Sequence, residues 1–310
     1  MSSPLWKDSK IWAGLNRPGL AMEEADLAIF GIPYDGSVSF RSGAGQAPDA
    51  LRNITYTISP TTEDFTSFAG LALTDMGNIE GESREEIFSR ARSLACDLVK
   101  NQTFFIMIGG DHSVTIPVLQ GIDRALDQPF GIIHIDAHFD LCDHQGGDRL
   151  SHGSTERRAL ELDNVRGIED IFFLGIRSIE SDELDFFNTR PVQVVSAKEI
   201  ARQGTARALD RLKKQLGHLE KIYLTIDIDC LDPAYAPGTG TPQFGGLTAR
   251  QLLDLLEGIF DLPVIGMDIV EVAPGLDDSL VSVFAARKLV TEVCGFIHQN
   301  KSPQPDIKTS

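Results

Sequence analysis

Short apolar runs alternate along the chain with longer segments in which apolar residues return every three or four positions. The runs are Leu27-Ala-Ile-Phe30, Leu71-Ala-Leu73, Phe104-Phe-Ile-Met-Ile108, Gly131-Ile-Ile-His-Ile135, Ile171-Phe-Phe-Leu174, Val192-Gln-Val-Val195, Ile222-Tyr-Leu-Thr-Ile226 and Val264-Ile-Gly-Met267. They lack the alternation of a strand with one wet face, so they read as parallel strands buried on both sides. Residues 84–100, 205–216, 249–260 and 280–297 carry the helical period and supply the crossovers between them. The expectation is one three-layer α/β domain over residues 1–299, built on a central, mostly parallel eight-stranded sheet. No internal repeat or linker marks a second domain. From Asn300 to Ser310 the chain is polar with two prolines, which predicts a disordered tail.

Polar residues gather where three of these runs end. In His134-Ile-Asp-Ala-His-Phe-Asp140, the residues Asp136, His138 and Asp140 fall on alternate positions, and an extended chain points them the same way. Asp227 and Asp229 repeat that spacing after the seventh run, and His112 follows the third run through Gly109 and Gly110. Taken singly, a strand-end Asp caps a turn and a His is a hydrogen-bonded core residue. Together they make four carboxylates and two imidazoles at the ends of three strands. Burying that charge without cations would be strongly unfavourable, and four aspartates balance two divalent ions. An oxygen-rich set with imidazole and no thiolate suits a hard ion, Mn2+ ahead of Ni2+, Co2+ or Fe2+.

Composition narrows the class of protein. The chain has 310 residues, 42% hydrophobic and 24% charged, enough for a large core. No apolar run is long enough to span a bilayer. The start Met1-Ser-Ser-Pro-Leu-Trp6 lacks the basic and apolar regions of a secretory signal, and four scattered cysteines give no disulfide framework, so a cytoplasmic location is expected. A formal net charge of −17 argues against nucleic acid as a partner.

The segments Gly109-Gly-Asp-His-Ser113, Ile135-Asp-Ala-His-Phe-Asp140, Ser151-His-Gly153 and Asp227-Ile-Asp-Cys-Leu-Asp-Pro233 resemble the ureohydrolase family of arginases and agmatinases. Pro237-Gly-Thr-Gly-Thr-Pro242 and Gly266-Met-Asp-Ile-Val-Glu-Val272 extend the resemblance from about Ala25 to about Val293. It implies the arginase/deacetylase-type sheet and two Mn2+ per subunit. One ion would be held by His112, Asp136, Asp140 and Asp227, the other by Asp136, His138, Asp227 and Asp229, with Asp136 and Asp227 bridging. It further implies attack of a metal-bridging hydroxide on a guanidinium carbon. Asp140 would be the proton carrier, His152 would shuttle protons or orient substrate, and Glu271 would grip the guanidinium. A homo-oligomer, trimer or hexamer, is implied by the same resemblance.

Substrate choice rests on the loops. Arginases place Asn two residues beyond the aspartate that corresponds to Asp140, and this chain has Cys142 there. Asp148-Arg-Leu-Ser-His-Gly-Ser154 followed by Glu156-Arg-Arg-Ala159 resembles the agmatinase and guanidino-acid hydrolase branch, which implies agmatine as the substrate. Two departures bear on it: Thr155-Glu156 where the branch often has Pro-Phe, and Gly45 where it often has Arg. Glu156 facing the pocket would attract a cationic tail, whereas Arg149, Arg157 or Arg158 would attract a carboxylate. The alternatives are hydrolysis of 4-guanidinobutyrate or another guanidino acid and a formiminoglutamase, then arginase, guanidine hydrolase or a non-catalytic metal-binding protein. His134, on the ligand face but inside its strand, is expected to make a core or supporting hydrogen bond, and the cysteines to be buried packing residues.

Overall fold

Eight strands appear in the computed structural model, which describes residues 4–301. They are β1 Leu27–Gly31, β2 Leu73–Asn78, β3 Phe104–Ile108, β4 Gly131–Ile135, β5 Ile171–Leu174, β6 Gln193–Val195, β7 Ile222–Asp227 and β8 Val264–Val270. They pair in the order β2-β1-β3-β8-β7-β4-β5-β6, every pairing parallel, where the sequence predicted a mostly parallel sheet.

Alternate strand residues feed two separate cores. Phe104, Ile106, Ile108, Ile133, Ile135, Leu224 and Ile226 pack on one face with helices 205–216, 249–259 and 281–301. Phe30, Phe105, Met107, Ile132, Phe173 and Tyr223 pack on the other with helices 84–100 and 115–125. That explains the continuous apolar runs: both faces of the inner strands are covered. His134, Thr225 and Asp268 interrupt the second face, and the register places them side by side across β4, β7 and β8.

The helices Arg84–Lys100 and Thr205–Leu216 run as the periodicity predicts. Four strand ends shift by one to three residues, and three further boundaries differ. The second strand is Leu73–Asn78 rather than 71–73, because Thr74, Asp75 and Asn78 do not read as strand residues. Asp75 is nonetheless buried, accepting from Arg52 Nε and Nη2, both at 2.8 Å, and from Trp12 Nε1 at 2.7 Å. The third predicted helix ends at Ile259, one residue short of 260. The last helix, Val281–Lys301, passes through Asn300, where a tail was expected; Lys301 Nζ pairs with Asp26 Oδ1 at 2.9 Å and holds its final turn. Positions 302–310 of that expected tail lie outside the described residues. Helix Thr115–Ala125 was not legible, because Pro117 and Gly121 obscure its pattern. A Cβ at Gly121 would clash with the Arg92 carbonyl oxygen, so that glycine sets the close approach of helices 84–100 and 115–125. Among the described residues, no helix is long and apolar enough to cross a membrane.

Candidate metal centre

Strands β3, β7 and β4 deliver the candidate ligands, and β8 delivers Glu271, at their carboxyl ends, where parallel α/β sheets open their clefts. After β3 the chain turns through Gly109 and Gly110; a Cβ at Gly110 would clash with the Tyr34 carbonyl oxygen. Asp111 then accepts from Ser37 N at 2.7 Å and Ser113 N at 3.0 Å, fixing the turn that presents His112.

All six sequence-selected ligands converge. His112 Nδ1 lies 3.1 Å from Asp136 Oδ2, 3.0 Å from Asp140 Oδ2 and 3.5 Å from Asp227 Oδ2. His138 Nδ1 lies 3.4 Å from Asp136 Oδ1 and 3.2 Å from Asp229 Oδ2. Two ligand-spaced clusters, His112–His134–Asp136 and Asp136–His138–Asp229, share Asp136. His112 Nδ1, Asp136 Oδ2 and Asp229 Oδ2 are buried atoms without a hydrogen-bond partner. Buried atoms of this kind, a ring nitrogen and two carboxylate oxygens left without partners, fit bound cations. His134 belongs to the first cluster by distance but not by chemistry, since its Nδ1 meets Glu156 Oε1 at 3.0 Å and its Nε2 the His138 carbonyl at 3.1 Å. That is the supporting role the sequence suggested for it.

A hydrogen-bond chain fixes the tautomer of His112. Thr225 Oγ1 donates to Asp268 Oδ1 at 2.6 Å, so its contact with His112 Nε2 at 2.8 Å requires the ring to donate. In the neutral ring, Nδ1 is thereby left as a lone pair. Asp268 also accepts from Thr115 Oγ1 and Tyr223 OH, each at 2.8 Å. Sequence reasoning missed this support. The signal was present, however: Thr225 and Asp268 are polar residues inside apolar strands.

Glu271 follows β8 with a left-handed φ of 61° and is buried. Its Oε1 accepts from His112 N and from His152 Nδ1, both at 3.0 Å, while Oε2 makes no hydrogen bond among the described residues. Ser39 N donates to His152 Nε2 at 3.0 Å, so in this geometry the ring is neutral with its proton on Nδ1. Burial opposes a second proton, but Glu271, Asp140 and Asp111 raise the ring's affinity for it to about 9. That proton can enter only at Nε2, by displacing the Ser39 amide.

The cavity above the ligands is lined by His138, Asp140, His152, Asp227, Glu180 and Glu183, among others, with Cys142, Gln145 and Gln243 at its walls. Among the described residues, no Lys or Arg lines it. Glu183 is held by Leu141 N at 2.7 Å and Glu180 N at 2.8 Å, and burial pushes its carboxyl up to about 7. Neither Glu180 nor Glu183 was singled out from the sequence, where they look like an ordinary helix start. Glu156 does not face the pocket: it is fully buried and turned toward His134. Arg149 and Arg158 pair instead with Asp143, and Arg157 stacks over Phe186. The four cysteines are buried and free.

Without cations, protons take their place. Burial alone would lower the imidazole pKa values, but Asp136 and Glu156 raise His134 to about 10, and Asp229 and Asp136 raise His138 to about 12. A folded-state value above the ordinary 6.5 contributes stability that is complete below about pH 6.5 and is lost as pH climbs toward the folded-state value. Metal binding must expel the His138 proton, so its affinity rises over the same range. The gap in melting temperature between metal-loaded and chelated protein is therefore expected to widen from pH 6.5 to 10. A constant gap would show that protons and cations do not compete at these residues.

Residues 25–295 match the family model described as the arginase family. The chain is 33% identical over 292 residues to the agmatinase of Chromobacterium violaceum, covering 90% of this chain and 86% of that one. Among solved structures, the proclavaminate amidinohydrolase of Streptomyces clavuligerus superposes with a TM-score of 0.84 at 30% identity, covering 96% of this chain and 99% of that one. The agmatine ureohydrolase of Thermoplasma volcanium gives 0.82 at 28% identity, covering 94% and 96%.

Proposed function

Because the chain belongs to the arginase family and is a hydrolase of non-peptide C–N bonds, we propose that it cleaves agmatine to urea and putrescine with two manganese ions. The observation that carries the metal reading is the trio of orphaned buried atoms, His112 Nδ1, Asp136 Oδ2 and Asp229 Oδ2. One ion would be held by His112, Asp136, Asp140 and Asp227, and the other by Asp136, His138, Asp227 and Asp229. When bound, such a pair supplies Lewis acidity and water acidified to near neutral pH.

The chain's own groups do the rest. Glu271 Oε2 is free to accept from guanidinium N–H groups, while Oε1 stays tied to His112 N and His152 Nδ1. The departing amine must be protonated before the C–N bond breaks, and Asp140 and His152 both line the cavity within which that proton moves. Asp140 holds its side chain there through a left-handed φ of 53°, with its carbonyl gripped by Glu156 N at 3.0 Å and Arg157 N at 3.1 Å.

Beyond the metal ligands, Glu180 and Glu183 add acidic groups to the cavity lining, and among the described residues no Lys or Arg lines it. That favours a substrate with a cationic tail and disfavours one whose tail is a carboxylate. The test is urea release by Mn2+-loaded protein across agmatine, arginine, 4-guanidinobutyrate and guanidine, with formamide release from formiminoglutamate in parallel. Agmatine is expected to give the largest kcat/KM, by about tenfold or more, a difference of at least about 1.4 kcal/mol. A preference for 4-guanidinobutyrate would overturn the tail argument and leave the metal centre standing.

A further inference from the structure

Thr155 and Glu156 stand at the start of a short helix, and several of their contacts lead to backbone carbonyls of candidate metal ligands. Thr155 Oγ1 donates to the His112 carbonyl at 3.1 Å. Glu156 N and Arg157 N donate to the Asp140 carbonyl at 3.0 and 3.1 Å. The Glu156 side chain meets His134 Nδ1 at 3.0 Å, and His134 Nε2 reaches the His138 carbonyl at 3.1 Å. Nε2 also lies 3.1 Å from Asp136 Oδ2, an ion-pair contact without hydrogen-bond alignment. Glu156 and His134 are both fully buried, and the His134 ring stacks on that of His112 with centroids 5.1 Å apart and planes 4° from parallel.

We propose that Glu156 is a positioning residue that, through His134, holds the His138 and Asp136 side of the metal centre in its ligating arrangement before any cation binds. The inference rests on the metal-centre reading above. Two physical arguments support it. Both nitrogens of His134 face only acceptors, the Glu156 carboxylate on one side and a carbonyl and a carboxylate on the other, so ring rotation about its long axis is blocked from both ends. Glu156 Oε2 is buried with no partner, a penalty that filling the space with an apolar side chain would avoid. A carboxylate in that position is explained by what Oε1 holds. Outer partners of metal ligands act in this way, fixing ring orientation.

The experiment compares wild type, Glu156→Gln and Glu156→Leu, with His134→Asn as a second cut through the same chain should Glu156→Leu fail to fold. Mn2+ binding is measured by equilibrium dialysis with elemental analysis. In the chelated proteins, a downfield imidazole N–H resonance is followed by proton NMR and assigned to His134 by its absence from His134→Asn. Glu156→Leu is expected to bind Mn2+ about 10–100-fold more weakly and to lose the resonance, as loss of an outer partner does. Glu156→Gln keeps an oxygen for Nδ1–H, so it is expected to keep the resonance and to bind within about threefold of wild type, less than one such partner contributes. A merely space-filling role would alter melting temperature and leave Mn2+ affinity alone. Wild-type affinity in Glu156→Leu, or no downfield resonance in wild type, overturns the inference. Failure of wild type itself to bind Mn2+ overturns the metal-centre reading instead, and the inference with it.

Discussion

Asp227→Ala is expected to lose at least one of two bound Mn2+ ions and to release urea at least about a thousand-fold more slowly than wild type. Loss of a mere outer partner weakens metal binding about 10–100-fold, and a carboxylate shared between two ions weakens both. The position of Asp227 at the end of β7 explains why nothing nearby substitutes for it. Its Oδ1 accepts from Asp229 N at 2.8 Å and its Oδ2 faces His112 Nδ1 at 3.5 Å, so the same residue shapes the Asp229 turn and closes the His112 side. Burial, together with Asp229 and Asp136, holds its carboxyl pKa well above the ordinary range, the sign of a group whose charge wants a cation. Removing it relieves repulsion in the metal-free protein, so the chelated variant is expected to melt no lower than chelated wild type. Elemental analysis, urea release and melting with chelator separate the two effects. Two retained ions with near-normal turnover would remove Asp227 from the centre.

Where the sequence was most readable, a single periodicity governed the residues. Asp136, His138 and Asp140 announce themselves because an extended chain puts alternate residues on one side, and the structure gathers them with His112, Asp227 and Asp229. The apolar runs were readable for the same reason: a strand covered on both faces has little room for polar residues. β2 was misplaced because its buried Asp75 is neutralised by Arg52, a partner twenty-three positions away that local patterning does not reveal. Glu156 illustrates the limit more sharply. Next to Arg157 and Arg158 it reads as a solvated helix start, yet its neighbour in space is His134, on a strand in the middle of the sheet. Glu180 and Glu183 were hidden likewise, since only the folded loop brings them to the cavity that holds Asp140 and His152. Charge in this protein is legible from sequence when the backbone itself aligns it, and illegible when tertiary contacts do.

Glu271→Gln tests the substrate side of the site without disturbing the metal side. The amide keeps the size of the carboxylate, and its oxygen can still accept from His112 N, so two Mn2+ ions are expected to remain bound. It replaces the oxygen opposite the guanidinium with a donor, or loses the anchor to His112 if it flips. Breaking one partner of a buried, hydrogen-bonded charge pair costs about 2–5 kcal/mol, so kcat/KM for agmatine is expected to fall about 30-fold to several thousand-fold. His152→Ala is expected to lower kcat about 10²–10⁴-fold with metal content unchanged, the range for a proton-transfer group. The two losses are not independent, because His152 Nδ1 donates to the same Glu271 Oε1 that anchors His112. His152→Ala removes that contact and Glu271→Gln weakens it from a charge-assisted to a neutral hydrogen bond, so the double variant is expected to lose less than the product of the single losses. A strictly multiplicative result would mean that the His152–Glu271 contact contributes nothing to turnover. Near-normal kcat and KM in Glu271→Gln would leave the guanidinium without its proposed carboxylate.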